Sequence, residues 1–173
     1  YGIDEAGRGF VAGDLDIAGV ILTADIKGLD KAKKLTPKKR QGLFDVIKAN
    51  SHYHIATITS AQVDQLGLSK CIAQGLVEIL NHLSADEYIF DGNSSFGVEK
   101  IKTMIKADSQ VAQVAAASIL AKVTHDNNIA RDALIYPEYE FEKHKGYVTK
   151  RHLELIREFG YCDIHRKSYK LKL

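Results

Sequence analysis

The sequence predicts an α/β domain whose mixed five-stranded sheet is flanked by helices. Three segments rich in apolar and β-branched residues come early in the chain, at residues 1–4, 16–23 and 52–60. Strands this close together favour an antiparallel meander. Two shorter apolar segments, 86–91 and 101–106, alternate with helical segments. Early strands followed by alternating strands and helices are typical of a mixed α/β sheet.

Helix signals separate these strands. Thr36 as N-cap and Pro37 at the first helical position predict a helix that ends at Ala49. Ser60 and Ser69 are candidate starts of two further helices, and the second of these runs through "KCIAQGLVEILNHL". The third and fourth strands are therefore joined through helices.

The second half of the chain is mainly helical. An alanine-rich segment with an apolar stripe predicts the longest helix, over residues 110–134. The following stretch, "YPEYEFEKHKGY", is predicted to be a loop. Thr149 is a suitable cap for a last helix, "KRHLELIREF", which we expect to stop at Gly160.

Length and composition suit one globular domain. The chain has 173 residues, of which 45% are hydrophobic and 27% charged. We expect a single structural unit, with a core of residues 1–134 and a helical appendage with a basic tail over residues 135–173. No apolar run approaches the ~18 residues of a membrane span, so no membrane association is expected.

The two cysteines bear on location. Cys71 and Cys162 lack CxxC or Cys/His spacing, which predicts free thiols in a reducing compartment, with a disulfide as the less favoured alternative. We therefore expect a cytoplasmic protein. No sequence feature suggests an oligomer, so we expect a monomer, and protein partners stay unknown.

Positive charge is concentrated in two runs. Residues 143–173 hold nine Lys/Arg against three Asp/Glu, and residues 27–40 hold seven Lys/Arg against one Asp. Each run alone favours a solvated face. Two basic runs in a chain that also has clustered acids indicate an electrostatic footprint for a polyanion around a metal centre.

Four acids lie at the ends of apolar segments. Asp4 and Glu5 come at the end of the first strand and directly after it, while Asp91 ends the fourth. Asp108 precedes the long helix. Ligands in open α/β sheets bind beyond the carboxyl ends of strands, so a parallel first and fourth strand would place Asp4 beside Asp91. Converging carboxylates repel one another, and Mg²⁺ or Mn²⁺ relieves that repulsion, which predicts a centre for hydrolysis of a phosphodiester.

Simpler interpretations of individual acids stay open. Taken alone, Asp108 before a helix favours a cap, and Asp91 before Gly92 fits an ordinary turn. The seven histidines show no paired-ligand spacing of a zinc site. A P-loop, a dinucleotide fingerprint and a serine-hydrolase elbow are absent from the sequence.

Several motifs resemble type 2 ribonuclease H, the ribonuclease HII family. They are "GIDEAGRG" (2–9), "GLDKAKKLTPKKR" (28–40), "FDGN" (90–93), "KADS" (106–109), "AAASILAKVTHD" (115–126), "YPEYEFEKHKGYVTKRHLE" (136–154) and "HRKSY" (165–169). They occur in the order of the family and span nearly the whole chain. The resemblance implies a ribonuclease H-like fold with a C-terminal helical appendage.

The resemblance also implies an activity. Such an endonuclease cuts the RNA strand of RNA/DNA hybrids, and cuts on the 5′ side of a single ribonucleotide in duplex DNA, in RNA primer and ribonucleotide removal during replication and repair. By this resemblance the catalytic metal ligands are Asp4, Glu5, Asp91 and Asp108. Asp4 would bridge two Mg²⁺ or Mn²⁺ ions, with Asp91 and Glu5 on one ion and Asp108 on the other.

Substrate-binding residues follow from the same resemblance. Gly7, Arg8 and Gly9 correspond to a loop that contacts the ribose 2′-OH, the group by which a protein tells RNA from DNA. Tyr147 corresponds to a tyrosine that stacks at the RNA–DNA junction. The phosphate contacts implied are Lys33, Lys34 and Lys145, and Ser109 is the small residue after the fourth acid.

The chain departs from the family pattern at several positions. Phe10 and Asp14 stand where the family usually has proline. Ala32 replaces a serine, and Val148 replaces the glycine after the stacking tyrosine. All these positions lie near the implied substrate-binding residues, whereas the four acids are present.

Three other functions were weighed. Ribonuclease HIII shares the acids, but it typically lacks the arginine of the glycine loop and carries an extra N-terminal domain. A catalytically silent nucleic-acid-binding module would keep the basic face without needing four acids. A metal-binding domain unrelated to nucleic acid would leave the two basic runs unexplained.

Overall fold

A mixed sheet of five strands forms the centre of the protein. The structure is a computed structural model and describes residues 1–31 and 34–173. The strands are β1 (Gly2–Ala6), β2 (Leu15–Leu22), β3 (Ser51–Ile58), β4 (Tyr88–Asp91) and β5 (Ile101–Met104). They lie in the order β3-β2-β1-β4-β5. Strands β1 to β3 pair antiparallel, whereas β4 is parallel to β1 and to β5, which confirms the predicted mixed sheet.

The strand ends differ from the prediction by one or two residues. β1 extends two residues further than predicted because Glu5 and Ala6 continue the antiparallel ladder opposite Ile17 and Asp16. β4 begins at Tyr88, two residues later than predicted. The extension of β1 matters for function, since it carries the acidic pair within a strand rather than in a loop.

Helices cover the sheet. They are α1 (Pro37–Ala49), α2 (Ser60–Leu66), α3 (Leu68–His82), α4 (Ala112–Ile135), α5 (Phe141–His144) and α6 (Lys150–Phe159), with 3₁₀ turns at Leu29–Lys34, Ala107–Ser109 and Pro137–Tyr139. Thr36 caps α1 as predicted. The cap of α2 is Thr59 rather than Ser60, and it forms a capping box with Gln62. The predicted start of α3 at Ser69 is wrong, because Gly67 separates α2 from α3.

The long helix α4 lies close against the sheet beside the acids. A Cβ on Gly2 would stand 2.3 Å from the backbone nitrogen of Val114, so glycine is required for β1 and α4 to approach this closely. The buried alanines of α4 serve the same close approach. The helix begins two residues later than predicted, because a 3₁₀ turn over Ala107–Ser109 precedes it. In residues 1–31 and 34–173 no helix is both long and apolar enough to cross a bilayer.

The C-terminal segment is more ordered than predicted. The stretch predicted to be a loop contains the turn Pro137–Tyr139 and helix α5, because the side chains of Tyr139 and Phe141 are buried in a cluster with Ala12 and Ile129. Thr149 caps α6, and α6 ends at Gly160, both as predicted. The division into a core of residues 1–134 and an appendage of residues 135–173 stays a prediction, as does a cytoplasmic location.

A buried pair of histidines supports the chain around residue 146. The rings of His144 and His152 stack at 3.8 Å between centroids. His144 Nε2 lies 2.6 Å from the carbonyl oxygen of Tyr139, and its Nδ1 accepts from the amide of Gly146 at 3.1 Å. Because a carbonyl only accepts and an amide only donates, His144 is the neutral Nε2–H tautomer.

The same reasoning extends to a third histidine. His152 Nδ1 lies 2.8 Å from the carbonyl oxygen of Tyr147, so it carries a proton, and its Nε2 accepts from Nε2 of His165 at 2.9 Å. His165 Nδ1 in turn accepts from the amide of Cys162. Burial lowers the pKa values of His152 and His165 to about 4. This network is therefore neutral at physiological pH.

We expect the histidine network to make folding acid-sensitive. Unfolded histidines titrate near 6.5, so the unfolded chain binds more protons than the folded one between pH 6.5 and about 4. Stability should therefore fall as pH falls through this window, by on the order of 3 kcal/mol for each of His152 and His165. Urea unfolding of wild type and His152→Gln at pH 7, 6, 5 and 4 measures the difference in slope.

Wild type and His152→Gln must be compared because the pH dependence of wild-type stability also contains contributions of opposite sign from other titratable groups. Burial, together with Asp16, raises the pKa of Asp14 to about 6, so that lowering the pH relieves a cost there. His82→Gln, at an exposed position, is the matched control and should keep the wild-type pH dependence. Equal pH dependence in wild type and His152→Gln would contradict the prediction.

Candidate active site

Three aspartates meet at one edge of the sheet. Asp4, Asp91 and Asp108 each place a carboxylate oxygen within 4.8 Å of the other two. β1 and β4 are parallel, with Ile3 opposite Phe90, so the next residue of each strand, Asp4 or Asp91, lies at the same edge of the sheet. The expectation that these two acids lie side by side is met.

Asp108 reaches the cluster from a different element. It lies in the 3₁₀ turn Ala107–Ser109, and its main-chain amide donates to Oδ2 of Asp91 at 3.1 Å. The cap interpretation of Asp108 is wrong, because the N-cap position of α4 is Val111. The turn holds Asp108 against β4, and Asp108 is buried at 8% exposure.

Glu5 is placed differently from the three aspartates. Its Oε1 pairs with Nη2 of Arg8 at 2.9 Å. Among the described residues, it does not belong to the group of converging carboxylates, although it lines the same cleft. Burial raises the pKa of Glu5, and the nearby Arg8 guanidinium opposes that rise. Arg8 of the glycine loop thus neutralises the charge of Glu5.

The electrostatics of the cluster favour a cation. Burial, followed by the neighbouring charges of Glu5 and Asp91, raises the pKa of Asp4 to about 9. A carboxylate in this position needs a proton or a cation to balance it. Three closely spaced carboxylate oxygens are a hard donor set, which fits Mg²⁺ or Mn²⁺ and does not fit a soft metal.

Three further polar residues line the cleft above the acids. The cleft has a volume of about 480 Å³, and Arg40, Ser118 and Lys122 lie in its wall together with the acids. None of the three is among the site residues predicted from the sequence. Ser118 and Lys122 are four residues apart on α4 and so share one helix face, a spacing that could have identified them. Arg40 is the last residue of the first basic run, and its Nη2 lies 4.0 Å from Oδ2 of Asp126.

The glycine loop is held from below by one arginine. Arg166 is fully buried, and its guanidinium donates to the main-chain carbonyls of Gly7, Arg8 and Gly13. It also contacts the hydroxyl of Tyr169, which donates to the Arg8 carbonyl at 2.9 Å. Arg166 belongs to the motif "HRKSY", but it is not among the site residues predicted from the sequence.

The glycines of this loop have different environments. Gly7 has φ +105°, and a Cβ there would stand 2.5 Å from the Asp14 carbonyl oxygen, so a side chain is excluded. A Cβ on Gly9 would have no neighbour within 4 Å, so that position is open to an approaching molecule. Arg8 is 39% exposed and lies over the Phe96 ring at 5.3 Å.

The remaining implied substrate residues that the structure describes do not line the cleft of the acids. Tyr147 is 45% exposed, and the amide of Val11, just after the glycine loop, donates to the Gly146 carbonyl at 2.9 Å. Lys145 lines a neighbouring cleft of about 240 Å³ between α1, α4 and α5. The hydroxyl of Ser109 donates to the Lys106 carbonyl at 2.8 Å.

The two lysines of the first basic run are less informative. Lys34 is exposed at the end of the turn Leu29–Lys34, and the turn's first residues line a small cleft beside Asp108. Lys33 lies outside the described residues.

The two cysteines, Cys71 and Cys162, are both free thiols, as predicted.

Comparison with known proteins assigns the family. Residues 1–172 match the family model of Ribonuclease HII. A ribonuclease HII from Sulfurovum sp. (strain NBC37-1) is 53% identical over 171 residues, which cover 99% of this chain and 91% of that protein. The chain belongs to the ribonuclease HII family.

Solved structures agree with this assignment. The ribonuclease H2 of Pyrococcus horikoshii OT3 is 27% identical, with a TM-score of 0.80, and the match covers 98% of this chain and 92% of that one. The RNase HII in the PCNA complex from Archaeoglobus fulgidus has the same fold, at 24% identity and a TM-score of 0.85, over 99% and 95% of the two chains.

Family membership decides between the functions weighed from the sequence. As a ribonuclease HII family member, the protein is an endoribonuclease H that acts on RNA/DNA hybrids. The silent binding module and the unrelated metal-binding domain are therefore wrong. The match of residues 1–172 to the ribonuclease HII model and the 53% identity to a ribonuclease HII favour this family over the ribonuclease HIII alternative.

Proposed function

We propose that this ribonuclease HII family member cuts the RNA strand of RNA/DNA hybrids and also cuts duplex DNA on the 5′ side of a single embedded ribonucleotide. Two divalent ions held by the acidic cluster would assist hydrolysis. The products would be a 5′-phosphate and a 3′-hydroxyl. Such an activity would serve ribonucleotide and RNA-primer removal during DNA replication and repair.

One observation carries this proposal. Arg8 of the glycine loop and the three aspartates line the same cleft, so a ribose contacted by the loop would have its phosphate beside the acids. Gly9 leaves open space at the loop, and Arg166 holds the loop carbonyls from the other side. Because Arg166 binds the carbonyls of the loop, the side of the loop that faces away from Arg166 would contact the substrate.

The acids fit divalent ions by their chemistry. Because Asp4, Asp91 and Asp108 converge, they would hold one ion together, which differs from the division implied by the resemblance, where Asp108 is on a separate ion from Asp91. Glu5 would contribute to a second site when its pair with Arg8 opens. Bound Mg²⁺ or Mn²⁺ would supply Lewis-acid stabilisation of the phosphate and make the attacking water more acidic. Arg40 and Lys122 in the cleft wall would offset the remaining phosphate charge.

Recognition of the junction would come from both sides of the cleft. Gly7, Arg8 and Gly9 would contact the ribose 2′-OH, and Tyr147 would stack on the base pair at the junction. The implied phosphate contacts of Lys33, Lys34 and Lys145 would position the duplex without reading sequence, and Ser109 would be a further substrate-binding residue beside Asp108. These roles are proposals drawn from the family resemblance and the placement described above.

The test uses three labelled duplexes that differ in a single feature. One is DNA with a single ribonucleotide, one is an RNA/DNA hybrid, and one is all DNA. Each is incubated with the enzyme in Mg²⁺, in Mn²⁺ and in chelator. We expect a metal-dependent cut directly 5′ of the ribonucleotide, cleavage of the hybrid, and no cleavage of all-DNA duplex.

A tyrosine variant separates junction recognition from chemistry. Tyr147→Ala should lose cleavage at the single ribonucleotide by roughly tenfold, the value of one base–aromatic stack, and lose less on the hybrid. Tyr161→Ala, at a tyrosine of similar exposure, is the matched control and should keep both activities. Cleavage of the hybrid alone by wild type would contradict the proposed junction specificity.

A further inference from the structure

Phe10 occupies an unusual position directly after the glycine loop. Its ring is buried, at 5% exposure, between two aromatic side chains. The ring of Tyr147 meets it edge to face, with 4.1 Å between centroids and an interplanar angle of 87°. On another side lies the ring of His125, at 4.2 Å and 32°. Phe10 therefore links the glycine loop to the exposed tyrosine.

The Phe10 ring is held on a rigid base. His125 is buried and its Nδ1 lies 3.1 Å from the carbonyl oxygen of Asp14, so the ring beneath Phe10 has a fixed orientation. The next residue, Val11, donates its main-chain amide to the Gly146 carbonyl at 2.9 Å, and its carbonyl accepts from the Arg166 amide at 2.8 Å. Backbone and ring of Phe10 are thus fixed from several directions.

Tyr147, in contrast, is 45% exposed and so keeps rotamer freedom at the surface. An edge-to-face contact constrains the ring of one partner relative to the other, because the positive edge of one ring faces the negative face of the other. A stacking side chain that is oriented in advance loses less entropy on binding.

We infer that Phe10 is a positioning residue that orients the Tyr147 ring for stacking at the RNA–DNA junction. This inference rests on the proposed role of Tyr147. Phe10 would therefore set how strongly this chain prefers a single-ribonucleotide junction over a continuous hybrid.

A double-mutant cycle tests the inference. Wild type, Phe10→Leu, Tyr147→Ala and the double variant are compared by KM and kcat on the single-ribonucleotide duplex and on the hybrid. We expect Phe10→Leu to raise KM on the junction roughly fivefold, with kcat nearly unchanged, because stacking contributes already in the ground-state complex. In the Tyr147→Ala background, the same substitution should have little further effect.

Controls separate positioning from general packing. Phe44→Leu removes a half-buried ring on α1 and should have the same effect in both Tyr147 backgrounds. Thermal unfolding of every variant checks the fold, and Phe10→Met replaces Phe10→Leu in the cycle if the leucine variant does not fold. A substitution that acted only through stability would lower activity on both substrates equally.

Two results would overturn the inference in distinguishable ways. If Tyr147→Ala weakens junction cleavage but the effects of the two substitutions multiply, the proposed function stands and the positioning role of Phe10 fails. If Tyr147→Ala leaves junction cleavage unchanged, the stacking role fails and the inference fails with it.

Discussion

Replacing Asp4 with asparagine should lower RNA cleavage roughly a thousandfold or more, because losing several kcal/mol of transition-state stabilisation corresponds to such a factor. Asp4 is buried, at 8% exposure, and its pKa is raised to about 9 by burial and by Glu5. The neutral amide keeps the shape of the side chain and cannot ionise, whereas a pKa of about 9 lets the metal-free wild-type carboxyl become charged only at high pH. Asp4→Asn should therefore unfold at a higher temperature than wild type when no metal is present and the pH is above about 9.

Opposite changes in activity and stability distinguish this result from misfolding. Thermal unfolding with and without Mg²⁺ gives a second readout, since an ion that binds the folded state raises the unfolding temperature of wild type and should do so less for Asp4→Asn. Asp86→Asn, an exposed acid just before the start of β4, is the matched control and should resemble wild type in both assays. An Asp4→Asn enzyme with near wild-type activity would contradict the role assigned to this acid.

Replacing Arg166 with methionine should destabilise the fold by about 3–5 kcal/mol, the cost of removing one partner from a buried charged network. The fully buried guanidinium donates to the carbonyls of Gly7, Arg8 and Gly13 and contacts the Tyr169 hydroxyl. Methionine fills similar space but leaves these buried carbonyls without their donors. Urea unfolding at pH 7 measures the loss of free energy.

The conservative variant tests whether geometry or charge matters. Arg166→Lys keeps the charge but has a single ammonium, which cannot span carbonyls from three residues, so we expect it to lose most of the same stability. Lys167→Met changes the adjacent exposed residue and should stay within about 0.5 kcal/mol of wild type. A loss below about 1 kcal/mol for Arg166→Met would show that water or other groups replace the guanidinium.

Local features could be predicted from the sequence because they depend on residues a few positions apart. Thr36 and Thr149 cap their helices by accepting from amides three residues ahead, and both were identified from residue type and spacing. The strand segments and the mixed sheet also followed from patterns along the chain. Ser69 misled the prediction, since this favourable cap residue lies two positions after Gly67, inside α3, and does not start the helix.

The predicted loop after α4 was wrong for a non-local reason. Its sequence is polar enough to suggest a loop, yet Tyr139 and Phe141 are buried against Ala12 and Ile129, and this burial folds the stretch into a turn and a helix. The contribution of aromatic burial depends on a surface supplied by other parts of the chain, and that surface cannot be read from periodicity.

The sequence by itself determined the family and identified the four acids as candidate metal ligands. The tendency of ligands to bind at the carboxyl ends of parallel strands already predicted that Asp4 lies beside Asp91. Only the tertiary structure decided that Glu5 pairs with Arg8 while three aspartates converge, that Arg166 lies beneath the glycine loop, and that Phe10 contacts the ring of Tyr147. Arg166 and the loop are separated by more than 150 residues, and contacts over such a distance follow from how the elements pack together. Local patterns place residues on elements, whereas packing decides which side chains meet.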